Sequence, residues 1–275
     1  MNDYLMATVL GVVEGITEFL PISSTAHLRI AQHFLGLSLE DEYWKLFAIF
    51  IQLGAILSVV AYYRARLIDL SKPFLADLFS PGKLLAHPFF LVGIAFMATV
   101  VPVFLLKKVV GKNLENLSMI AVVLVVGGVV MIGVDAVFGK KGKTGSLEEM
   151  KPWQALVVGL VQILSAVFPG TSRSMSTIAG GQLVGMSRAA ALEFSFLLSI
   201  PVMAAATLYD LLKYVKESGA PMSGHQGGVL ALGFVVSFFV AYAAIAWFLA
   251  FVRKRGFFFF GLYRIVFGAL VFFLL

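Results

Sequence analysis

The chain contains no cysteine, which excludes disulfides, thiolate metal sites and thiol-based catalysis. Charge is scarce too. Asp, Glu, Lys and Arg make up 13% of the 275 residues, against about 25% in a soluble globular domain. The N-terminus reads MNDY, with no basic stretch and no small-residue cleavage site before the apolar run, so no cleavable signal peptide is expected. The formal charge of +6 is spread over several short segments and forms no tail. That pattern reads as membrane topology and not as nucleic-acid binding.

What the chain does have is apolar length. Hydrophobic residues make up 60% of it, with long runs at 89–106, 117–134, 229–252 and 257–275. Each run, at roughly 20 residues, is long enough to cross a hydrocarbon core. The composition therefore predicts an all-α polytopic membrane protein.

The chain also repeats itself. GVVEGITEFLPISST (Gly11 to Thr25) aligns with GLVQILSAVFPGTSR (Gly159 to Arg173) at an offset of 148. Glu14 falls on Gln162, the prolines coincide, and Ser23 and Ser24 fall on Thr171 and Ser172. Three apolar runs follow each motif, at about 46–64, 88–107 and 117–137, then at about 191–211, 229–251 and 257–275. A single membrane domain is expected, with repeat 1 at about 1–138, repeat 2 at about 152–275 and a basic loop at 139–151 between them. Paired halves of this kind are a transporter-like layout.

The basic residues choose between two topologies. If each motif is a full span, ten Lys and Arg fall on each side. If each motif dips in and returns, one side collects twelve: Arg64, Arg66, Lys72, Lys83, Lys140, Lys141, Lys143, Lys151, Arg188, Arg253, Lys254 and Arg255. The other side collects seven: Arg29, Lys45, Lys107, Lys108, Lys112, Lys213 and Lys216. The positive-inside rule favours the second arrangement. It predicts two inverted-topology repeats, each a re-entrant broken-helix hairpin plus three transmembrane helices, with both termini outside. Pro21 and Pro169-Gly170 mark the breaks, and the Ser/Thr clusters after them suit N-caps. Two helix N-termini then face one cavity and favour an anion.

Chemistry concentrates at these breaks. Glu14 and Glu18, spaced i, i+4, share one helix face. Burial of two like charges calls for a shared proton, a hard divalent cation such as Mg²⁺ or Ca²⁺, or a cationic neighbour. Arg173 is a candidate neighbour, and its planar fork matches phosphate oxygens. Thr171, Ser172, Ser174 and Thr177 offer further donors. Ser24 and His27, at i, i+3, are spaced for an imidazole to take a hydroxyl proton. Gln52, Gln162 and Glu193 are either supporting polar partners or structural hydrogen-bonders, and His33, His87 and His225 suggest no role. The pattern fits a polyanion such as a diphosphate on a lipid-soluble group, with hydrolysis and anion transport both open.

At these residues the chain resembles the undecaprenyl-diphosphate phosphatase family, the bacitracin-resistance proteins of bacteria. The resemblance rests on E-G-x-T-E-F-L-P-x-S-S-T-x-H at Glu14 to His27 and P-G-x-S-R-S-x-x-T at Pro169 to Thr177. Ala26 and Met175 stand where the family usually has glycine. The resemblance implies a metal-dependent hydrolase that removes the terminal phosphate of undecaprenyl diphosphate for peptidoglycan synthesis. Glu14 and Glu18 match its acidic pair. Ser23, Ser24, Thr25 and His27 match its serine–histidine motif, and Ser172, Arg173, Ser174 and Thr177 its arginine motif. It further implies a site open to the outer, periplasmic side of the bacterial plasma membrane. On this reading Ser24 is the nucleophile, His27 its general base and later acid, and Glu14 and Glu18 the metal ligands, with direct attack by His27 or by a metal-activated water as the alternatives. Partners are the polyprenyl diphosphate and membrane lipids, with a homodimer left open and no nucleic acid.

Overall fold

The computed structural model of the chain describes residues 2–38, 40–77, 80–106, 116–218 and 223–274. Lys107, Lys108 and Lys112, counted in the topology above, lie outside the described residues. The regular elements of the described residues are helices, with one isolated β-bridge between Thr144 and Met186. The first motif forms α1 (Asp3–Thr17) and α2 (Ser24–Phe34), and the second forms α8 (Pro152–Val167) and α9 (Arg173–Leu183). Between them run α3 (Glu42–Tyr62), α4 (Arg64–Asp77), α5 (Pro81–Ala86), α6 (Pro88–Leu105) and α7 (Leu117–Phe138). After α9 come α10 (Arg188–Ser218), α11 (Gly224–Arg255) and α12 (Phe258–Leu274).

Among the described residues five helices are long and apolar enough to cross a membrane: α3, α6, α7, α10 as far as Tyr214, and α11. All five answer apolar runs read from the sequence. The shorter α12, at 17 residues, covers the remaining run. The sequence does not announce the two short helices α4 and α5. The basic loop is ordered, because Lys143 N–H donates to Gly185 O at 2.8 Å and Ser187 N–H to Thr144 O at 2.9 Å. The protein is a multi-pass membrane protein.

Helix starts follow local chemistry. Asp41 accepts from the N–H groups of Tyr43 and Trp44 at the head of α3. Asn116 does the same for Met119 in α7, and Ser223 with Gln226 closes a reciprocal capping box on α11. Such caps satisfy N–H groups that have no partner within the helix.

Packing is that of a membrane bundle. Large apolar side chains such as Leu105, Phe104, Val129 and Phe239 face outward, whereas Glu14, Glu18, Ser24, His27 and Arg264 are buried. Close crossings use small residues. A Cβ on Gly15 of α1 would sit 2.7 Å from Val240 Cβ and 2.9 Å from Ala241 N of α11, the near approach that small residues permit. α1 packs on α11 as α8 packs on α6, while α3 pairs with α10 and α7 with α12.

Candidate active site

Both motif helices break where expected. α1 ends at Thr17 and α2 restarts at Ser24; α8 ends at Val167 and α9 restarts at Arg173. The N-caps are Ser23 and Ser172, both at φ 73°, the non-glycine residues with positive φ among those described. Backbone of this kind costs of order 1–3 kcal/mol and clusters at functional sites. From proline to cap the second break is one residue longer than the first, Pro169 to Ser172 against Pro21 to Ser23. The caps therefore correspond at an offset of 149, and not at the 148 that aligns the prolines (172 − 23 against 169 − 21). In consequence Ser24 and Arg173, not Ser24 and Ser172, hold the equivalent first helical position.

The two breaks touch. Ser174 Oγ donates to Leu20 O at 2.9 Å, and Ser172 Oγ lies 3.0 Å from Ser174 Oγ. Arg173 Nη2 donates to Glu18 Oε1 at 3.0 Å, a buried ion pair joining the two motifs. Arg173 Nη1 reaches Ser195 O at 3.3 Å, and its guanidinium carbon sits 5.7 Å from the Phe19 ring centroid. The other Glu18 oxygen, Oε2, accepts a hydrogen bond from Ser24 Oγ. Glu18 thus holds the serine on one oxygen and the arginine on the other.

The expected pairing of Ser24 with His27 is absent. His27 Nδ1 lies 2.7 Å from Ser23 O, and Nε2 2.7 Å from the Tyr263 hydroxyl. The ring stacks on Phe267 at 4.4 Å between centroids. Spacing of i, i+3 places the two side chains on one broad face, but the helix break brings Glu18 to the serine first. α12 meanwhile takes the imidazole. His27 is therefore a buried, doubly bonded residue here.

The remaining candidates divide. Ser23 and Ser172 cap their helices, accepting from Ala26 N–H at 3.4 Å and Met175 N–H at 3.3 Å. Thr177 Oγ1 lies 2.6 Å from Ser195 Oγ, tying α9 to α10. Thr171 Oγ1 turns back to Phe168 O at 2.7 Å and closes its own turn. Thr25 is half-buried on the first turn of α2. The first-turn N–H groups of Ser24, Thr25, Arg173 and Ser174 are not taken by other backbone carbonyls among the described residues, so both helix ends keep free donors. Of the supporting polar residues, Gln162 bonds Thr99 at 3.2 Å and Glu193 bonds Arg66 at 2.7 Å. Both roles are structural.

Glu14 is completely buried, and both of its carboxylate oxygens lack a hydrogen-bond partner. Such an orphan needs an explanation in a native structure. A hard cation, which takes oxygen ligands, would supply one. Among the described residues no three His, Cys, Asp or Glu side chains converge as a metal site. A cation here would rest on Glu14 and Glu18, with its other ligands from water and substrate oxygens.

Three residues of this region were not singled out from sequence: Tyr263, Phe267 and Arg264, all on α12. Arg264 left a signal, since it is an isolated cation inside the apolar run 257–275, and such residues are rarely idle.

The fold and site together define a helical membrane bundle whose two broken hairpins bring a serine, a carboxylate pair and an arginine into one region. Residues 7–270 match the family model of the bacitracin resistance protein BacA, and the chain belongs to that family. Similar proteins include the undecaprenyl-diphosphatase of Koribacter versatilis (strain Ellin345), 53% identical over 98% of each chain. Those of Sulfurimonas denitrificans (97% of each chain) and Aquifex aeolicus (95% of this chain, 94% of its own) are 43% and 41% identical.

Proposed function

We propose that this protein hydrolyses undecaprenyl diphosphate to undecaprenyl phosphate and inorganic phosphate within the membrane. The observation that carries the reading is the Ser24–Glu18–Arg173 chain: a hydroxyl bonded to a carboxylate, next to a guanidinium. Anion transport would need the arginine and the helix ends, but has no use for an activated serine. The names of the relatives point the same way.

In this mechanism the terminal phosphoryl group sits at the N-termini of α2 and α9, where their free N–H groups and Arg173 hold its oxygens. Ser24 Oγ attacks phosphorus, its proton passes to Glu18, and the bond to the bridging oxygen breaks, releasing the lipid monophosphate. Water then attacks the phosphoserine. Glu18, having given its first proton to solvent, takes one from this water and returns a proton to Ser24 Oγ as inorganic phosphate leaves. Glu14 and Glu18 would hold a bound Mg²⁺ or Ca²⁺, whose charge would neutralise the diphosphate. His27 orders the α2 terminus through its bond to Ser23 O and takes no proton from Ser24.

We further read the two halves as inverted repeats with both termini and the site on the outer face. Support comes from the exchange of partners, α1 with α11 and α8 with α6, about the central pairs α3–α10 and α7–α12. Three crossings per half carry the chain to the opposite side, so the second half starts inverted and the two halves together return the chain to its starting side. The direct test is phosphate release from undecaprenyl diphosphate by purified protein, with and without EDTA, and with Arg173→Ala. Loss of release in both cases is expected. Unchanged release on chelation refutes the metal role, and no release by well-folded protein refutes hydrolysis.

A further inference from the structure

Arg264 is the largest fully buried side chain among those described. It lies in the middle of α12, and its hydrogen bonds go to main-chain carbonyls only. Nη1 donates to Pro21 O at 3.2 Å and Thr171 O at 3.0 Å, and Nη2 to Gly170 O at 2.9 Å and Val123 O at 3.4 Å. Nε has no partner, and among the described residues no carboxylate pairs with the guanidinium. Gly127 of α7 makes the space, since a Cβ there would fall on Nη2. A cation buried among neutral carbonyls is expensive to keep. A methionine of similar length would fill the volume without that cost.

What a methionine could not do is join the breaks. Pro21 belongs to the first and Gly170 and Thr171 to the second, and one planar fork reaches both. We propose that Arg264 is a positioning residue of the active site, holding the two helix breaks in register so that Ser24 and Arg173 face one phosphoryl group. The inference rests on the phosphatase reading above. Arg264 touches no substrate, being buried behind the breaks. It acts on the peptide groups that aim the helix ends. In a planar trans peptide the C=O and the following N–H point in opposite directions. Drawing the Thr171 carbonyl to Arg264 therefore turns the Ser172 N–H away from it. The same anchoring steadies Ser172 at its unfavourable φ of 73°.

The test uses Arg264→Met, Arg264→Lys and the milder Gly127→Ala, which displaces the fork but keeps the guanidinium. Activity is measured well below the melting temperature and corrected for folded fraction. The cysteine-free chain also allows spin labels at Phe34→Cys and Leu183→Cys, exposed at the far ends of α2 and α9. Misplacing reacting groups by about 1 Å lowers rates about 100-fold. We expect kcat to fall by that order in the Arg264 variants, with KM within about threefold, and a broadened label distance by electron–electron resonance. Adding Arg173→Ala to Arg264→Met should cost far less than the two separate losses combined, since both act on one alignment. The inference is overturned if any folded variant keeps wild-type kcat and distance distribution. It is also overturned if activity falls only as folded protein is lost. If the unsubstituted protein releases no phosphate, the phosphatase reading fails, while the label distances still decide whether Arg264 holds the breaks.

Discussion

Glu18→Gln separates the serine–carboxylate pair from the serine–histidine pair. The substitution keeps the shape of the side chain and its acceptor oxygen, and removes the charge that takes the Ser24 proton. A positioned general base contributes about 10²–10⁴-fold, which converts to roughly 2.7–5.4 kcal/mol of barrier at ~1.36 kcal/mol per tenfold. The same change strips Arg173 of its ionic partner at 3.0 Å. Both side chains are largely buried, so a stability loss of about 3–5 kcal/mol accompanies it. Rates must therefore be taken at saturating substrate and metal, at a temperature where the variant remains folded by its melting curve. His27→Gln is the companion. It removes a stacked ring bonded at 2.7 Å on each nitrogen, so its effect should fall on stability, with kcat reduced less than about tenfold, below the range for a general base. If His27→Gln costs the full catalytic factor while Glu18→Gln stays near wild type after correction for folding, Glu18 is not the base.

Tyr263→Phe removes one hydrogen bond to His27 and should lower stability by about 0.5–1.5 kcal/mol with activity retained, read as a fall in melting temperature in detergent. Gly15→Leu would drive a side chain into Val240 and the Ala241 backbone. It should cost about 1–3 kcal/mol or more by overpacking, seen as early melting and reduced yield; an unchanged melt would contradict the α1–α11 crossing. Outside the spans, Glu148 bonds Arg66 at 2.7 Å. Its carboxyl is held below the usual value because hydrogen bonds from its own backbone and Arg66 outweigh the opposing effect of burial. A carboxylate with a depressed folded pKa adds stability above its unfolded value near 4.5, lost as pH falls through the lower folded value. Glu148→Gln should flatten the acid limb of the melting-temperature profile, and an unaltered limb would show that the pair adds nothing.

How legible was all this in the residues? The helix breaks were, because proline cannot donate to the helix ladder and a following hydroxyl can cap the next helix. Glu14 and Arg173 were legible because charge inside an apolar run has few reasons to exist. The pairing of Ser24 was not. Sequence spacing offered His27 at i+3, whereas the carboxylate that takes the hydroxyl lies six residues back across the break. Helical periodicity says nothing across a turn. The register between the motifs was misread by one residue for a similar reason, since Gly170 sits in an extra turn position at φ 97° that alignment by proline does not see. Arg264 was visible as an anomaly, but its partners are carbonyls of Pro21, Gly170 and Thr171, groups that every residue carries and no sequence pattern marks.

By itself the sequence determined the solvent this protein lives in, the order of its long apolar helices, and the chemical inventory of its two motifs. All three follow from local properties: hydropathy, backbone restrictions and side-chain type. Only the tertiary structure decided which of those groups meet. Arg173 joins Glu18 across 155 positions, Tyr263 takes His27 across 236, and Arg264 spans both breaks. Such pairings depend on how helices distant in sequence pack against each other, and that is a property of the whole bundle.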